Sequence, residues 1–151
     1  MVFQFGQFRI DVDVEKTRKF YRETSQTLTE GCDCINCQNF VRAYEGFDPQ
    51  IKEFFETLGV DICKAPDMSV FYGTSKSNTL HYEGWCHLCG TILSGENRDE
   101  VWTYVVTDTC RVSFREHCDL LKADFPRPVF QMDVQIEVPW LFEDIHHDLM
   151  M

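Results

Sequence analysis

Cys32-Asp33-Cys34-Ile35-Asn36-Cys37 places three thiols within six residues, directly after Gly31. Thiolates are soft ligands and select zinc or a similar ion over magnesium or calcium. A second pair with the two-residue spacing of a metal knuckle stands at Cys86-His87-Leu88-Cys89, followed by Gly90. Two intervening residues let the chain turn so that both sulfurs face one tetrahedral ion. Glycine after the second cysteine suits the positive φ such a turn commonly needs. The separation weighs against joining the pairs: 48 residues lie between Cys37 and Cys86, whereas metal ribbons use about 15–20. Trp85-Cys86-His87-Leu88-Cys89 reads equally well as an ordinary strand whose cysteines are small buried apolar groups. The expected metal site is therefore Cys32, Cys34 and Cys37, with a fourth ligand from Cys86, Cys89, His87 or Cys63. Four protein ligands would make it closed and structural; three plus water would leave it open to Lewis-acid chemistry.

Other chemistry is less well supported. Cys34 and Cys37 near a helix start have the form of a redox dithiol, in which the helix dipole lowers a thiol pKa. No βαβ pattern surrounds them, however, and the neighbouring Glu30 and Asp33 oppose ionisation. His81 and His87 lie six apart on an expected strand, so they share a face. His117, His146 and His147 read as surface residues, and Asp11 and Asp13 as solvated carboxylates on a strand. No Ser-His-Asp order, glycine-rich phosphate loop or His-Glu-x-x-His occurs, so nothing positively supports an enzyme.

The elements that must position the thiols belong to a chain of 151 residues, the length of one domain, 1–151, with 141–151 expected as a loose tail. A hydrophobic fraction of 44% with 13 Phe implies a packed core. The net charge of −11 argues against nucleic acid and anionic membranes. It admits an alternative function, an acidic interaction module of the inhibitor or immunity type that meets a basic protein partner, with the cysteines structural. No leader or apolar span is visible, so a soluble, cytoplasmic protein with reduced thiols is expected.

The fold class expected is α+β: an antiparallel sheet with two or three short helices in the N-terminal half. Residues 8–14 alternate apolar and polar, as a half-buried strand does. Glu15 to Glu23 reads as a short helix or turn, and residues 24–31 as a loop leading to the cysteines. Phe40, Val41 and Tyr44 predict a helix opening at Cys37 or Gln38 and ending at Gly46. The next helix has the clearest signals: Asp48 as N-cap, Pro49 at the first position, Ile51, Phe54, Phe55 and Leu58 on one face, and Gly59 as the stop. Strands are expected at 68–72, 79–93, 101–107, 110–114 and 129–138. Turns are expected at Ser94-Gly95-Glu96-Asn97 and Asp108-Thr109.

Several blocks together resemble a family of small uncharacterised bacterial proteins marked by a Cys-x-Cys-x-x-Cys-x-Asn-Phe motif. They are Asp11 to Tyr21, Cys32 to Phe40, Leu58-Gly59-Val60-Asp61, His81 to Gly90 and Val138-Pro139-Trp140. The resemblance spans nearly the whole chain. It implies one domain with Cys32, Cys34 and Cys37 as its signature. It also implies that Cys86 and Cys89, at positions often aromatic or aliphatic, are not general family ligands. It brings no known activity.

Overall fold

Alternation along the second half of the chain becomes one antiparallel sheet, and the capped apolar stripes before it become helices. The structure, a computed structural model, describes residues 1–25, 27–28, 34–76, 78–96 and 103–142. In chain order these form β1 (Val2–Phe5), β2 (Phe8–Val12), α1 (Val14–Glu23), α2 (Ile35–Tyr44), α3 (Pro49–Leu58), β3 (Asp67–Gly73), β4 (Thr79–Ser94), β5 (Tyr104–Thr107), β6 (Cys110–Arg115) and β7 (Val129–Pro139). A 3-10 turn, Ile62–Lys64, joins α3 to β3. The α+β class is as expected, with the helices in the N-terminal half.

The seven strands follow the order β1-β2-β4-β7-β6-β5, and β3 also pairs with β4. One edge of β4 pairs with β7 from Thr79 to Cys89. Its other edge is shared: β3 takes Leu80 to Trp85, and β2 takes Gly90 to Ser94. Between them lies a short length with no partner strand, and α1 fills it. The Tyr21 hydroxyl donates to the His87 carbonyl at 2.8 Å and accepts the His87 N–H at 3.0 Å. One turn earlier on the same helix face, Thr17 Oγ1 accepts the Cys89 N–H at 3.0 Å, and the Asp13 N–H donates to the Cys89 carbonyl at 2.8 Å. Four buried backbone groups that lack a strand partner are thereby satisfied, as buried polar groups must be.

Local chemistry explains why α1 stands there. Asp13 leaves β2 and caps the helix, its carboxylate accepting the Lys16 N–H at 3.1 Å. Asp13 is therefore a helix cap, while Asp11 pairs with the N-terminal amine at 3.0 Å. At Gly90, φ is +151° and a side chain would collide with the Asp11 carbonyl, so glycine lets β2 meet β4 where the gap ends.

The inner face of the sheet carries Leu80, Tyr82, Cys86 and Leu88 of β4 beside Phe130, Met132, Ile136 and Val138 of β7, all buried. Helices cover it. Phe40 of α2 meets Tyr82 with ring centroids 5.4 Å apart, and Phe54 of α3 meets Phe5 at 5.1 Å. The caps of α3 are as expected: Asp48 accepts the Gln50 N–H at 2.8 Å, and Gly59 closes the helix in the left-handed region.

Two expectations are corrected. Helix α2 begins at Ile35, earlier than Cys37 or Gln38, because the Cys34 side chain caps it. Ser94 and Gly95 do not connect neighbouring strands, since β4 pairs there with β2 while β5 pairs with β6; Asn97 lies outside the described residues. The Asp108-Thr109 turn does join β5 to β6. Val101 of the expected fourth strand and most of the 141–151 tail also lie outside the described residues.

Replacing Tyr21 by Phe removes one hydroxyl and leaves both polar backbone groups of His87 without their partner. The expected loss of unfolding free energy is about 1–3 kcal/mol, read from denaturant midpoints. A midpoint equal to that of the unaltered chain would show that α1 does not seal the gap in β4.

Candidate functional site

The first turn of α2 holds the two cluster thiols that the structure describes, Cys34 and Cys37. Cys34 is the N-cap and is exposed; Cys37, three residues on, is buried. The Cys37 N–H donates to Cys34 Sγ at 3.5 Å, so a backbone donor of the helix N-terminus is directed at sulfur. Donors aimed at a thiol favour its ionised form. Cys32, the remaining member of the cluster, lies outside the described residues.

Asn39 and Phe40, the other half of the motif, hold this turn against the sheet. Asn39 is fully buried; its Nδ2 donates to the Tyr82 hydroxyl at 3.2 Å and the Pro139 carbonyl at 3.1 Å, and its Oδ1 accepts the Leu141 N–H at 2.8 Å. The Tyr82 hydroxyl in turn donates to the Asn36 carbonyl at 2.8 Å. Burial drives the Tyr82 hydroxyl well above its usual pKa range; Asn39 opposes that shift, and the nearby Cys37 and Cys34 add to it. Within the same turn, Asn36 Oδ1 is buried with no hydrogen-bond partner among the described residues. Cys37 also lines a cavity of about 330 Å³ that Lys64 and Lys122 share.

None of the four candidate fourth ligands joins this pair. Among the described residues, no three of His, Cys, Asp and Glu come together as a metal-binding group. Cys86 and Cys89 do not form a knuckle, because both stand on extended β4, where an offset of three sends side chains to opposite faces. Cys86 is fully buried on the inner face, with Sγ 3.9 Å from the Met132 carbonyl, and burial raises its pKa strongly. Cys89 is buried on the other face, where burial also raises its pKa. Cys63 sits in the 3-10 turn; burial, then Asp61 and Glu45, push its thiol up to about 12.

His87 is only 2% exposed, and its Nε2 lies 3.2 Å from Oε1 of Gln131, which is 0% exposed. Those two residues open a polar network on the outer face that sequence reading missed. Gln131 Oε1 also accepts the Asp119 N–H at 2.7 Å, while its Nε2 donates to Asp133 Oδ1 at 2.9 Å. Arg115 Nη2 lies 3.1 Å from Asp119 Oδ2. Its Nε lies 2.8 Å from Asp133 Oδ2, an ion-pair contact whose N–H is not aligned for a hydrogen bond. Trp85 Nε1 donates to the Asp119 carbonyl at 3.0 Å, and Phe125 packs edge-on against His87 at 5.9 Å. The segment between β6 and β7 thus folds over one end of the outer face. His81 and His87 share that face, as expected, but His81 stacks on Tyr72 and pairs with Glu83 at 3.0 Å. His117 is exposed, as expected, 3.0 Å from Asp119. His146 and His147 lie outside the described residues. The available signal was the polar series Gln131, Asp133, Gln135 and Glu137 on the central strand β7, which alternation alone assigns to solvent.

Among the described residues, no helix is long and apolar enough to cross a membrane. No protein-family model matches the chain, and no curated protein or solved structure is found to be similar to it.

Burial holds the His87 imidazole below its ordinary 6.5, with Gln131 and Asp119 partly opposing the shift. The unfolded chain then takes up a proton that the folded chain refuses. His87 therefore subtracts stability as pH falls below about 6.5, and the loss levels off once the folded value is passed. His87→Gln should remove that component, so the stability gap between the two proteins should change between about pH 7.5 and 5.5 in denaturant titrations. A gap independent of pH would show that His87 does not titrate differently on folding.

Proposed function

We propose that the chain is a metal-binding protein whose centre is formed by Cys32, Cys34 and Cys37, with zinc as the ion. The observation that carries this reading is the Cys34 Sγ to Cys37 N–H contact of 3.5 Å, which sets two thiols on one helical turn with a donor already directed at sulfur. Cys32 is two residues from Cys34, so their Cα atoms are at most about 7 Å apart whatever the backbone does. The donor set is soft and suits zinc better than magnesium or calcium. Asn36 Oδ1, which has no partner among the described residues, is a buried acceptor in the same turn. Three thiolates leave one coordination position for solvent, where zinc supplies Lewis acidity. The reading places the protein in a reducing compartment such as the cytoplasm, where thiols persist as ligands.

One further observation favours a second reading. An exposed thiol at the N-cap, with a buried thiol three residues later, is the arrangement of an attacking and a resolving cysteine. Under that reading, Cys37→Ser would leave Cys34 trapped as a mixed disulfide in glutathione buffer; unaltered thiol exchange in that variant dismisses it.

Elemental analysis and native mass spectrometry of protein purified without an affinity tag test the metal reading. The expected result is about one zinc per chain, lost in Cys34→Ser and in Cys37→Ser, with chelator lowering the unfolding temperature. Metal-free protein whose stability ignores chelator would overturn it.

A further inference from the structure

Among the described residues, the segment between β6 and β7 covers one end of the outer face. Beyond the His87–Gln131–Arg115 network the face opens into a cavity of about 400 Å³ whose floor is set by strand register. One row across the sheet runs Ser69, Glu83, Gln135, Arg111; the next runs Asp67, Trp85, Asp133, Ser113. Paired residues in an antiparallel sheet share a face, so all eight project to this side.

The two halves of the cavity differ in chemistry. On the β6–β7 side, the Arg111 guanidinium, the Gln135 amide and the Ser113 hydroxyl have no hydrogen-bond or ion-pair partner among the described residues. Ser113 is only 7% exposed and lines the cavity. The Ser113 hydroxyl opens on the cavity and can donate to a ligand there, and these three groups together form a cradle for a carboxylate. Arg115 is already neutralised by Asp119 and Asp133, so Arg111 is the cation left available. On the β3–β4 side, Trp85 lies between Asp67 and Asp133 in register, with Glu83, which also contacts His81, two residues away. Among the described residues, the Asp67 carboxylate accepts only the neutral Ser69 hydroxyl, at 3.1 and 3.2 Å. An aromatic ring flanked by carboxylates is a receptor for an ammonium group.

Charge decides between ligand classes. A simple anion meets repulsion from Asp67 and Glu83, and a simple cation meets repulsion from Arg111. A molecule carrying both charges meets both halves. β4 and β6 are two strand spacings apart, roughly 10 Å, and side chains reach inward from each, so the molecule must be small. We propose that this cavity binds a free amino acid, its carboxylate on Arg111, Gln135 and Ser113 and its ammonium against Trp85, Asp67 and Glu83. The site is independent of the cysteine centre.

Calorimetric titration of the full chain tests the assignment. The probes are the standard amino acids, together with the amine and the carboxylic acid that correspond to each one bound. At least one amino acid should bind with Kd below about 1 mM, and deleting either of its charges should weaken binding by about tenfold or more. Arg111→Gln, an exposed substitution that leaves the core untouched, should cost a similar factor, as should Asp67→Asn, with unfolding midpoints confirming that both variants fold. Three results would overturn the proposal: no amino acid binding below about 10 mM, a carboxylic acid or amine binding as tightly as its parent, or affinity unaffected by Arg111→Gln.

Discussion

The structure depends on how β4 deals with an edge that no single strand completes. A central strand of 16 residues meets β7 along one side but must divide its other side between β3 and β2. Left open, the length between them would bury unpaired N–H and C=O groups. Two side chains one turn apart on α1, Thr17 and Tyr21, together with the Asp13 amide, close it. That requirement fixes where α1 lies. It also explains why Asp13 must end β2 and begin the helix within one residue.

With that edge closed, the two faces of β4 acquire different roles. The inner face is apolar and carries α2, whose position is locked by Asn39 and Phe40 against Tyr82 and the end of β7. The first turn of α2, with Cys34 and Cys37, is thus held by the core while Cys34 stays at the surface. The outer face is polar, and part of it is buried. There, Gln131 makes bonds to His87, Asp119 and Asp133, so a chain of amide, imidazole and carboxylates does the work that apolar contacts do on the other side. Arg115 pairs with two carboxylates there and offsets part of their charge.

The cysteines divide along the same lines. Cys86 and Cys110 belong to the inner core, and burial raises both thiols, Cys110 to about 12. Cys89 is buried in β4 on the opposite face from Cys86, and its backbone serves the contact with α1. Cys34 and Cys37 are joined through a backbone donor, the Cys37 N–H directed at the Cys34 sulfur. Position at a helix start separates this pair from the cysteines buried in the strands.

Much of the secondary structure was legible beforehand. Asp48, Pro49 and Gly59 marked α3 because capping and backbone preference act within a few residues. Alternation marked β2 and β7 because a strand has a period of two whatever surrounds it. The start of α2 was misplaced because a cysteine side chain took the capping role usually filled by Ser, Thr, Asp or Asn. β1 went unread because its burial alternates only weakly at the sheet edge.

By itself the sequence determined the α+β class, the capped helix α3 and the local density of thiols, since each depends on neighbours a few residues apart. Only the tertiary structure decided that Cys86 and Cys89 face opposite ways in a strand and that Gln131 is buried. It also brought Arg111, Ser113 and Trp85 to one cavity. Periodicity states which residues share a face; what covers that face is set by strands and loops far away in the chain.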